Sequence, residues 1–221
     1  MAVPATVPAT PKIKICGITT HEDAEYAATL GVWAIGLNFW PRSVRRCQPD
    51  RAAEIAAAMK RRLEVVGVFV NPTLGHVAAT AESVGLTMIQ LHGDEGPAFC
   101  AEVARRTGCR IIKAARVRSG ADIQALAVFH VDYHLLDSHV PGQRGGTGET
   151  FAWELARRHR GGVPVILSGG LSPENVAGAI AAVSPYAVDV ASGVESAPGR
   201  KDPARVEAFV NAVRDSAEVA A

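Results

Sequence analysis

A thiol and a carboxyl group, Cys16 and Asp137, each directly follow an apolar, β-branched segment of the chain. If both groups face one pocket, they suit a proton shuttle in which one removes a proton and the other donates one. Lys14 lies two residues before Cys16 on the same strand face, where its charge would favour the thiolate. Taken alone, Cys16 is interpreted equally well as a buried structural cysteine.

Two glycine-containing turns follow later apolar segments and indicate an anion site. They contain the following residues: Gly169, Gly170, Ser192 and Gly193. Glycine lets the backbone approach an anion closely, so that N–H groups can point at it. Ser192 adds a hydroxyl donor, and we expect residues 194–196 to form a short helix facing the anion. One such turn would indicate only a change of chain direction, whereas two of them favour phosphate binding.

Three further polar residues are candidates for the same pocket. Gln90 and His92 lie two apart on one apolar segment and share a face, so they either line the pocket or form a hydrogen-bonded core pair. Asp189 lies within the last apolar segment, where it either hydrogen-bonds in the pocket or fixes a neighbour. The four cysteines show no CxxC spacing, so we expect neither a zinc site nor disulfides, and reduced thiols fit a cytoplasmic location.

Eight apolar segments that alternate with helical patterns must position these groups. Their predicted starts are Lys12, Val32, Glu64, Thr87, Arg110, Tyr133, Val163 and Tyr186. Strands alternating with helices predict parallel βαβ units. We therefore predict a single (β/α)8 barrel, with the active site at the carboxyl ends of its strands and phosphate held after the last two. An open doubly wound sheet would require G-x-G-x-x-G in the first turn, where Cys16–Thr19 lacks it.

The chain length and the net charge limit the domain organisation and the partners. The 221 residues suit one barrel or two smaller domains, and no linker divides them. We predict a mobile tail over residues 1–11 and a catalytic barrel over residues 12–221. The tail lacks the features of a signal peptide, and no segment approaches the ~20 apolar residues of a membrane span. A net charge of +1 gives no indication of a nucleic-acid partner.

Helix signals and one long loop complete the pattern. Thr20 and Ser172 are predicted helix caps, and Asp202-Pro203 is predicted to begin the last helix. That helix should bury a stripe at i, i+3, i+4, i+7, formed by Val206, Phe209, Val210 and Val213. The glycine-rich loop of residues 139–150 is either a mobile lid over the barrel or an ordinary surface loop.

The chain resembles the phosphoribosylanthranilate isomerases, a family of tryptophan synthesis. The matching segments follow the same order along nearly the whole chain: Lys14–Thr19, Gly36–Phe39, Pro41–Arg45, Val66–Asn71, Ile89–Gly93, Leu135–Ser138, Gly145–Gly148, Leu167–Val176, Val188–Val190, Ser192–Glu195 and Pro198–Asp202. The family is a (β/α)8 barrel, and its reaction is an Amadori rearrangement of a phosphorylated aminosugar. The resemblance implies this small-molecule substrate, no metal and no organic cofactor.

The resemblance also implies roles for individual residues. Cys16 matches the family's general base and Asp137 its general acid, while Arg45 matches the arginine that holds the anthranilate carboxylate. The phosphate loops match the following residues: Gly169, Gly170, Ser192 and Gly193. Ala191 departs from the family, which usually has a small hydroxyl residue there. Arg42 and Arg46 lie close to Arg45 in sequence, so a solvated charge cluster remains an alternative.

Two other functions stay open at this point. A related barrel isomerase of histidine synthesis, or one enzyme serving both pathways, would share the fold but uses aspartate where this chain has Cys16. A catalytically silent sugar-phosphate binder is the third hypothesis, and the presence of Cys16, Asp137 and Arg45 together argues against it. The sequence does not distinguish a monomer from a homodimer.

Overall fold

Eight parallel strands form a closed barrel in chain order, and β1 pairs with both β2 and β8. The computed structural model describes residues 8–137, 153–159 and 162–218. The strands are β1 (Lys12–Cys16), β2 (Ala34–Asn38), β3 (Glu64–Phe69), β4 (Met88–Leu91), β5 (Arg110–Arg116), β6 (Tyr133–Asp137), β7 (Val165–Ser168) and β8 (Ala187–Val190). The predicted (β/α)8 barrel is confirmed, and each strand begins within two residues of its predicted start.

Helices alternate with these strands. They are α1 (His21–Thr29), α2 (Pro49–Met59), α3 (Leu74–Val84), α4 (Pro97–Thr107), the short α5 (Gly120–Ala125) and two later helices, Val176–Val183 and Pro203–Glu218. The Thr20 hydroxyl accepts a hydrogen bond from the Asp23 N–H at 3.1 Å, which confirms the predicted cap of α1. The predicted stripe of the last helix is also confirmed, because all four of its apolar residues are buried.

One predicted helix start is wrong. Ser172 was expected to cap a helix beginning at Pro173, but residues 173–175 form a turn and the helix begins at Val176. The Asn175 side chain closes this turn by accepting a hydrogen bond from the Ser172 N–H at 2.8 Å. Asn and Ser side chains compete with the backbone for such local hydrogen bonds, and this competition delays the helix.

The chain makes an unpredicted hairpin between β8 and the last helix. A 3-10 turn, Ser192–Val194, leads into β9 (Glu195–Ala197), which pairs antiparallel with β10 (Arg200–Lys201). The short helix expected over residues 194–196 is therefore wrong, since Glu195 begins a strand. Pro198-Gly199 is a turn-forming dipeptide, and Gly199 adopts φ +80°, which favours glycine.

Apolar side chains fill the barrel interior and the layer between barrel and helices. The interior set is formed by Ala34, Val66, Met88, Ile112, Ala114, Leu135, Ile166 and Ala187, together with Tyr133. Inward and outward residues alternate along each strand, so the inward side of β1 continues upward to Lys14 and that of β6 to Asp137. The interior is thus apolar in its middle and polar at the carboxyl ends of the strands.

Two predicted segments cannot be followed in full. The predicted tail of residues 1–11 lies mostly outside the described residues, and the predicted lid of residues 139–150 lies entirely outside them. Within the described ranges, no helix is both long and apolar enough to cross a membrane.

Candidate active site

A cavity of about 340 Å³ opens at the carboxyl ends of the barrel strands. Nine of the eleven residues predicted for the site line it: Cys16, Arg45, Gln90, His92, Asp137, Gly169, Gly170, Asp189 and Ser192. Lys14 lies buried beneath the cavity, and Gly193 packs behind it. The structure therefore brings together groups that lie up to 176 positions apart in the sequence, from Cys16 to Ser192.

Cys16 lies in a recess created by a glycine on the neighbouring strand. A Cβ atom on Gly36 would stand 2.8 Å from the Cys16 Sγ and 3.2 Å from the Lys14 Nζ. No larger residue would leave room for the sulfur and the ammonium together. Gly36 pairs with Cys16 in the register of β1 and β2, so the recess follows directly from strand pairing.

The environment of Cys16 favours the neutral thiol. Burial raises its pKa above the ordinary value, and this effect outweighs the charge and hydrogen bond of Lys14, which lower the pKa. The charge of Lys14 does favour the thiolate, as expected from the sequence, but burial has the larger effect on the pKa of Cys16. Lys14 limits the cost of forming the thiolate without removing it.

Lys14 is the centre of a buried ion pair below the cavity. Its Nζ donates to Asp189 Oδ1 at 2.7 Å, and its side chain is fully buried. Burial alone would lower the pKa of Lys14, but the charges of Asp189 and Cys16 and their hydrogen bonds raise it overall. Ser168 donates to the other Asp189 oxygen at 3.0 Å. Asp189 thus both lines the cavity and fixes its neighbours, which combines the two alternatives open from the sequence.

Asp137, His92 and Gln90 form a line across the cavity. The His92 Nε2 lies 3.5 Å from Asp137 Oδ2, and the Gln90 Nε2 lies 2.8 Å from His92 Nδ1. In this arrangement Gln90 donates to Nδ1, so the proton of a neutral His92 is on Nε2, which faces the carboxylate. The buried Gln90 Oε1 finds no hydrogen-bond partner among the described residues. Both residues therefore line the pocket and are also hydrogen-bonded to each other, so the two alternatives open from the sequence hold together.

Arg45 enters the cavity from the β2–α2 loop. Gly17 adopts φ +77°, and a Cβ atom there would lie 2.5 Å from the Arg45 Cδ, so glycine lets the arginine cross the first turn. Arg42 and Arg46 are exposed and do not line this cavity. Among the three arginines, Arg45 is therefore the one that lines this cavity.

The Arg45 guanidinium is already held on one side. Its Nε and Nη2 donate to Glu195 Oε1 and Oε2 at 2.8 and 2.7 Å, a bidentate pair. Lys201 Nζ donates to the same Glu195 Oε1 at 3.0 Å and to the carbonyl oxygen of Ala191 at 3.0 Å. Because Glu195 occupies the Nε side, only Nη hydrogens remain for a ligand in the cavity.

The two glycine turns pack against each other. Gly169 and Gly170 adopt φ values of +95° and +68°, which L side chains rarely adopt. A Cβ atom on Gly193 would clash with the carbonyl oxygen of Leu171. Each turn therefore needs its glycines, and together they give a wall of exposed backbone beside Ser192. Ala191 belongs to the same wall and offers no side-chain donor.

Sequence reasoning missed four residues of this site. Glu195 accepts from Arg45, Lys201 donates to Glu195, Ser168 donates to Asp189, and Asn38 lines the cavity. The turn dipeptide Pro198-Gly199 between two short polar segments was the available signal for the hairpin. No pattern in the sequence pairs Glu195 with Arg45, because that contact depends on how the hairpin packs on the first turn.

The chain is similar to known proteins over most of its length. The family model described as N-(5'phosphoribosyl)anthranilate (PRA) isomerase matches residues 13–212. A relative from Citrifermentans bemidjiense, named N-(5'-phosphoribosyl)anthranilate isomerase, is 48% identical over 199 residues, which are 90% of this chain and 95% of the relative. The crystal structure of phosphoribosyl anthranilate isomerase from Thermotoga maritima superimposes with a TM-score of 0.84 at 38% identity, over 93% of this chain and 99% of that one.

A further solved structure of a phosphoribosyl anthranilate isomerase contains a bound ligand. It is a complex with reduced 1-(o-carboxyphenylamino)-1-deoxyribulose 5-phosphate, and it superimposes with a TM-score of 0.80 at 35% identity. The alignment covers 93% of this chain and 99% of that chain.

Proposed function

Because the chain belongs to the N-(5'-phosphoribosyl)anthranilate isomerase family, we propose that it catalyses the Amadori rearrangement of N-(5'-phosphoribosyl)anthranilate. The product is 1-(2-carboxyphenylamino)-1-deoxyribulose 5-phosphate, an intermediate of tryptophan synthesis. One observation carries the proposal: Cys16, Asp137, Arg45 and the glycine turns line a single cavity. The free thiols support the cytoplasmic location expected from the sequence.

The substrate's three parts match three walls of the cavity. The phosphate binds at the turns containing Gly169, Gly170, Ser192 and Gly193, where backbone N–H groups can donate to it. The anthranilate carboxylate binds the Nη groups of Arg45, as a charge-assisted pair. The ribose then lies between Cys16 and Asp137, so that its ring oxygen and its C2 proton face opposite walls.

Asp137 and Cys16 divide the proton transfers between them. Asp137 donates a proton to the ring oxygen as the C1–O bond breaks, and the nitrogen lone pair forms an iminium. Cys16 then removes the C2 proton, and the C–H electrons neutralise the iminium to give an enolamine. Tautomerisation of the enolamine gives the ketone, and transfer of a proton from the thiol back to the carboxylate restores both groups.

The reaction needs the less stable protonation state of this pair. At reference pKa values, moving a proton from a thiol to a carboxylate costs about 6 kcal/mol. Burial of Cys16 adds to this cost, while the ammonium groups of Lys14 and Lys201 reduce it. The iminium's positive charge supplies further stabilisation of the thiolate at the step that requires it.

Turnover of two aminoaldoses tests the proposal. The purified protein should isomerise phosphoribosylanthranilate, should leave the corresponding aminoaldose of histidine synthesis unchanged, and should rescue a tryptophan auxotroph that lacks the isomerase. Turnover of the histidine-pathway substrate alone would contradict the proposal. Asp137→Asn should abolish rescue while it retains affinity for the reduced product, whereas a silent binder would show no turnover even in the wild-type protein.

A further inference from the structure

Three charged side chains meet beside the cavity, and the sequence motif that supplies one of them has no role so far. Lys201, in the Pro198–Asp202 segment, joins Arg45 on the same carboxylate, Glu195. The side chains of Lys201 and Glu195 are 3% and 4% exposed, whereas that of Arg45 is 26% exposed and reaches the cavity. Lys201 and Glu195 are therefore buried, and Arg45 is the member of this cluster that a ligand in the cavity can reach.

The charges of this cluster determine what its open end can bind. Arg45 and Glu195 alone form a neutral pair, with little net attraction for a second carboxylate. Lys201 adds a second positive charge, so that the cluster as a whole carries one excess positive charge. The adjacent buried pair of Lys14 and Asp189 is neutral as a unit and does not alter this balance. An anionic ligand group at Arg45 neutralises the excess.

Burial of Lys201 has a cost that its contacts only partly offset. Burial lowers the pKa of Lys201 despite the opposing effect of Glu195, so the ammonium is less stable than in water. Burial also raises the pKa of Glu195, but the hydrogen bond from Arg45 and the charge of Lys201 lower it overall. The carboxylate is thus shared by two cations, and neither cation is removable without changing the other's surroundings.

We propose that Lys201 is a specificity-determining residue for the substrate's carboxylate: it neutralises Glu195, so that Arg45 is fixed in place yet keeps its positive charge available. This inference rests on the proposed function. Lys201 acts through Arg45 and is a positioning residue. Its contact with the Ala191 carbonyl also ties this cluster to the turn that begins the phosphate wall.

Two ligands that differ only in the carboxylate isolate this effect. One is reduced 1-(2-carboxyphenylamino)-1-deoxyribulose 5-phosphate, and the other is its 1-phenylamino counterpart. The Kd of each ligand is measured by titration calorimetry on the folded protein. The Kd of the phenylamino ligand divided by the Kd of the carboxylate ligand is called the carboxylate ratio. Lys201→Met should lower the carboxylate ratio by roughly tenfold, which is the order expected for the loss of one unit charge near a partly solvated site.

Removal of the negative charge as well should restore the ratio. In the double variant Lys201→Met with Glu195→Gln, Arg45 alone again gives one excess positive charge, and the glutamine oxygen still accepts from its Nε. The carboxylate ratio should return to within about threefold of the wild-type value. An unchanged ratio in Lys201→Met, or no recovery in the double variant, would overturn the proposal.

The chain offers a matched control on the other side of the barrel. Lys113 and Glu95 form a buried pair at 2.9 Å, with side chains 6% and 3% exposed, and Glu95 accepts from backbone N–H groups of Asn71 and Gly93 instead of an arginine. Lys113→Met should cost similar stability and leave the carboxylate ratio unchanged. A similar fall in Lys113→Met would mean that the ratio reports general loosening and would overturn the assignment to Lys201.

The outcome also separates this inference from the proposed function. If the wild-type protein neither binds the reduced product nor turns over phosphoribosylanthranilate, the proposed function fails and the role of Lys201 falls with it. If the wild-type protein does both and the carboxylate ratio is unchanged in Lys201→Met, only the role of Lys201 fails.

Discussion

The two ends of the barrel are closed by opposite kinds of side chain. At the amino ends of the strands, Trp33, Tyr133 and Tyr186 pack with ring centroids 5.4 to 5.9 Å apart. The Lys12 ammonium lies 5.5 Å from the Trp33 ring centre, a cation–π contact. At the carboxyl ends, ion pairs and glycine turns surround an open cavity.

This difference shows how one barrel separates stability from chemistry. Aromatic rings at the amino end pack on one another and bury apolar area there. At the carboxyl end, a buried lysine, a raised thiol pKa and an amide oxygen with no hydrogen-bond partner among the described residues all carry a cost in stability. Substitutions at the two ends should therefore change different measurable quantities.

The largest expected effect is on turnover at the carboxyl end. Cys16→Ala should lower kcat by at least about a hundredfold, since it removes the general base. The midpoint of thermal unfolding should change little, because the substitution removes only one sulfur atom from a side chain that lines the cavity. Steady-state kinetics and calorimetry check both values, with the buried Cys100→Ala as the matched control that keeps kcat. A kcat within threefold of wild type would remove Cys16 from the mechanism.

The next effect is on stability at the amino end. Trp33→Ala should lower the free energy of unfolding by about 3 kcal/mol, because the ring packs on Tyr133 and Tyr186. The kcat at 25 °C should stay within about twofold, since Trp33 lies at the opposite end from the cavity. Urea denaturation and kinetics on the same sample check this. A large loss of kcat with unchanged stability would contradict the separation of the two ends.

A pair of lysines sharpens the comparison, since Lys12 and Lys14 lie two residues apart on β1 and serve opposite ends. Lys14→Met should raise the pKa of Cys16 further and slow its alkylation at pH 8 by about tenfold. Lys12→Met should leave the rate unchanged. Mass spectrometry of the Cys16 peptide after iodoacetamide treatment measures both. In the wild-type protein the rate should keep rising with pH above about 8.5, the pKa of an ordinary cysteine.

The smallest expected effect concerns the outer side of β6, away from both ends. Burial, together with His159 at 2.8 Å, lowers the pKa of His134 to about 4. In the unfolded chain this histidine binds a proton near pH 6.5. The free energy of unfolding is therefore unaffected by His134 above that pH and falls as the pH drops toward 4. The loss should be about 1 kcal/mol per pH unit, measured by urea denaturation at pH 7 and pH 5. His134→Gln should weaken this dependence, and an unchanged slope would exclude His134 as its source.

Much of the fold was predictable because strand position depends on local patterns. The apolar segments predicted all eight strands, since strands covered on both faces are nearly continuous in Val, Ile and Leu. Cys16 and Asp137 could be placed at one end of the barrel for the same reason. The helix start at Ser172 and the helix expected over residues 194–196 were wrong, because side-chain hydrogen bonds and hairpin pairing there outweigh local propensity.

The electrostatics of the site could not be predicted from the sequence. The raised pKa of Cys16 results from burial, which depends on how closely β2 approaches at Gly36. The link from Lys201 through Glu195 to Arg45 joins residues 150 positions apart, from Arg45 to Glu195. Such contacts follow from tertiary packing, and no spacing rule along the chain contains them.

The ion pair of Lys14 and Asp189 also bears on how the molecule is made. Its partners are 175 positions apart and belong to the first and last barrel strands. During synthesis, β1 leaves the ribosome long before its counter-ion exists, so the seam of the ring forms only when β8 has emerged. Until then the Lys14 ammonium has no buried counter-ion and stays hydrated, and the Cys16 thiol beside it stays exposed to solvent.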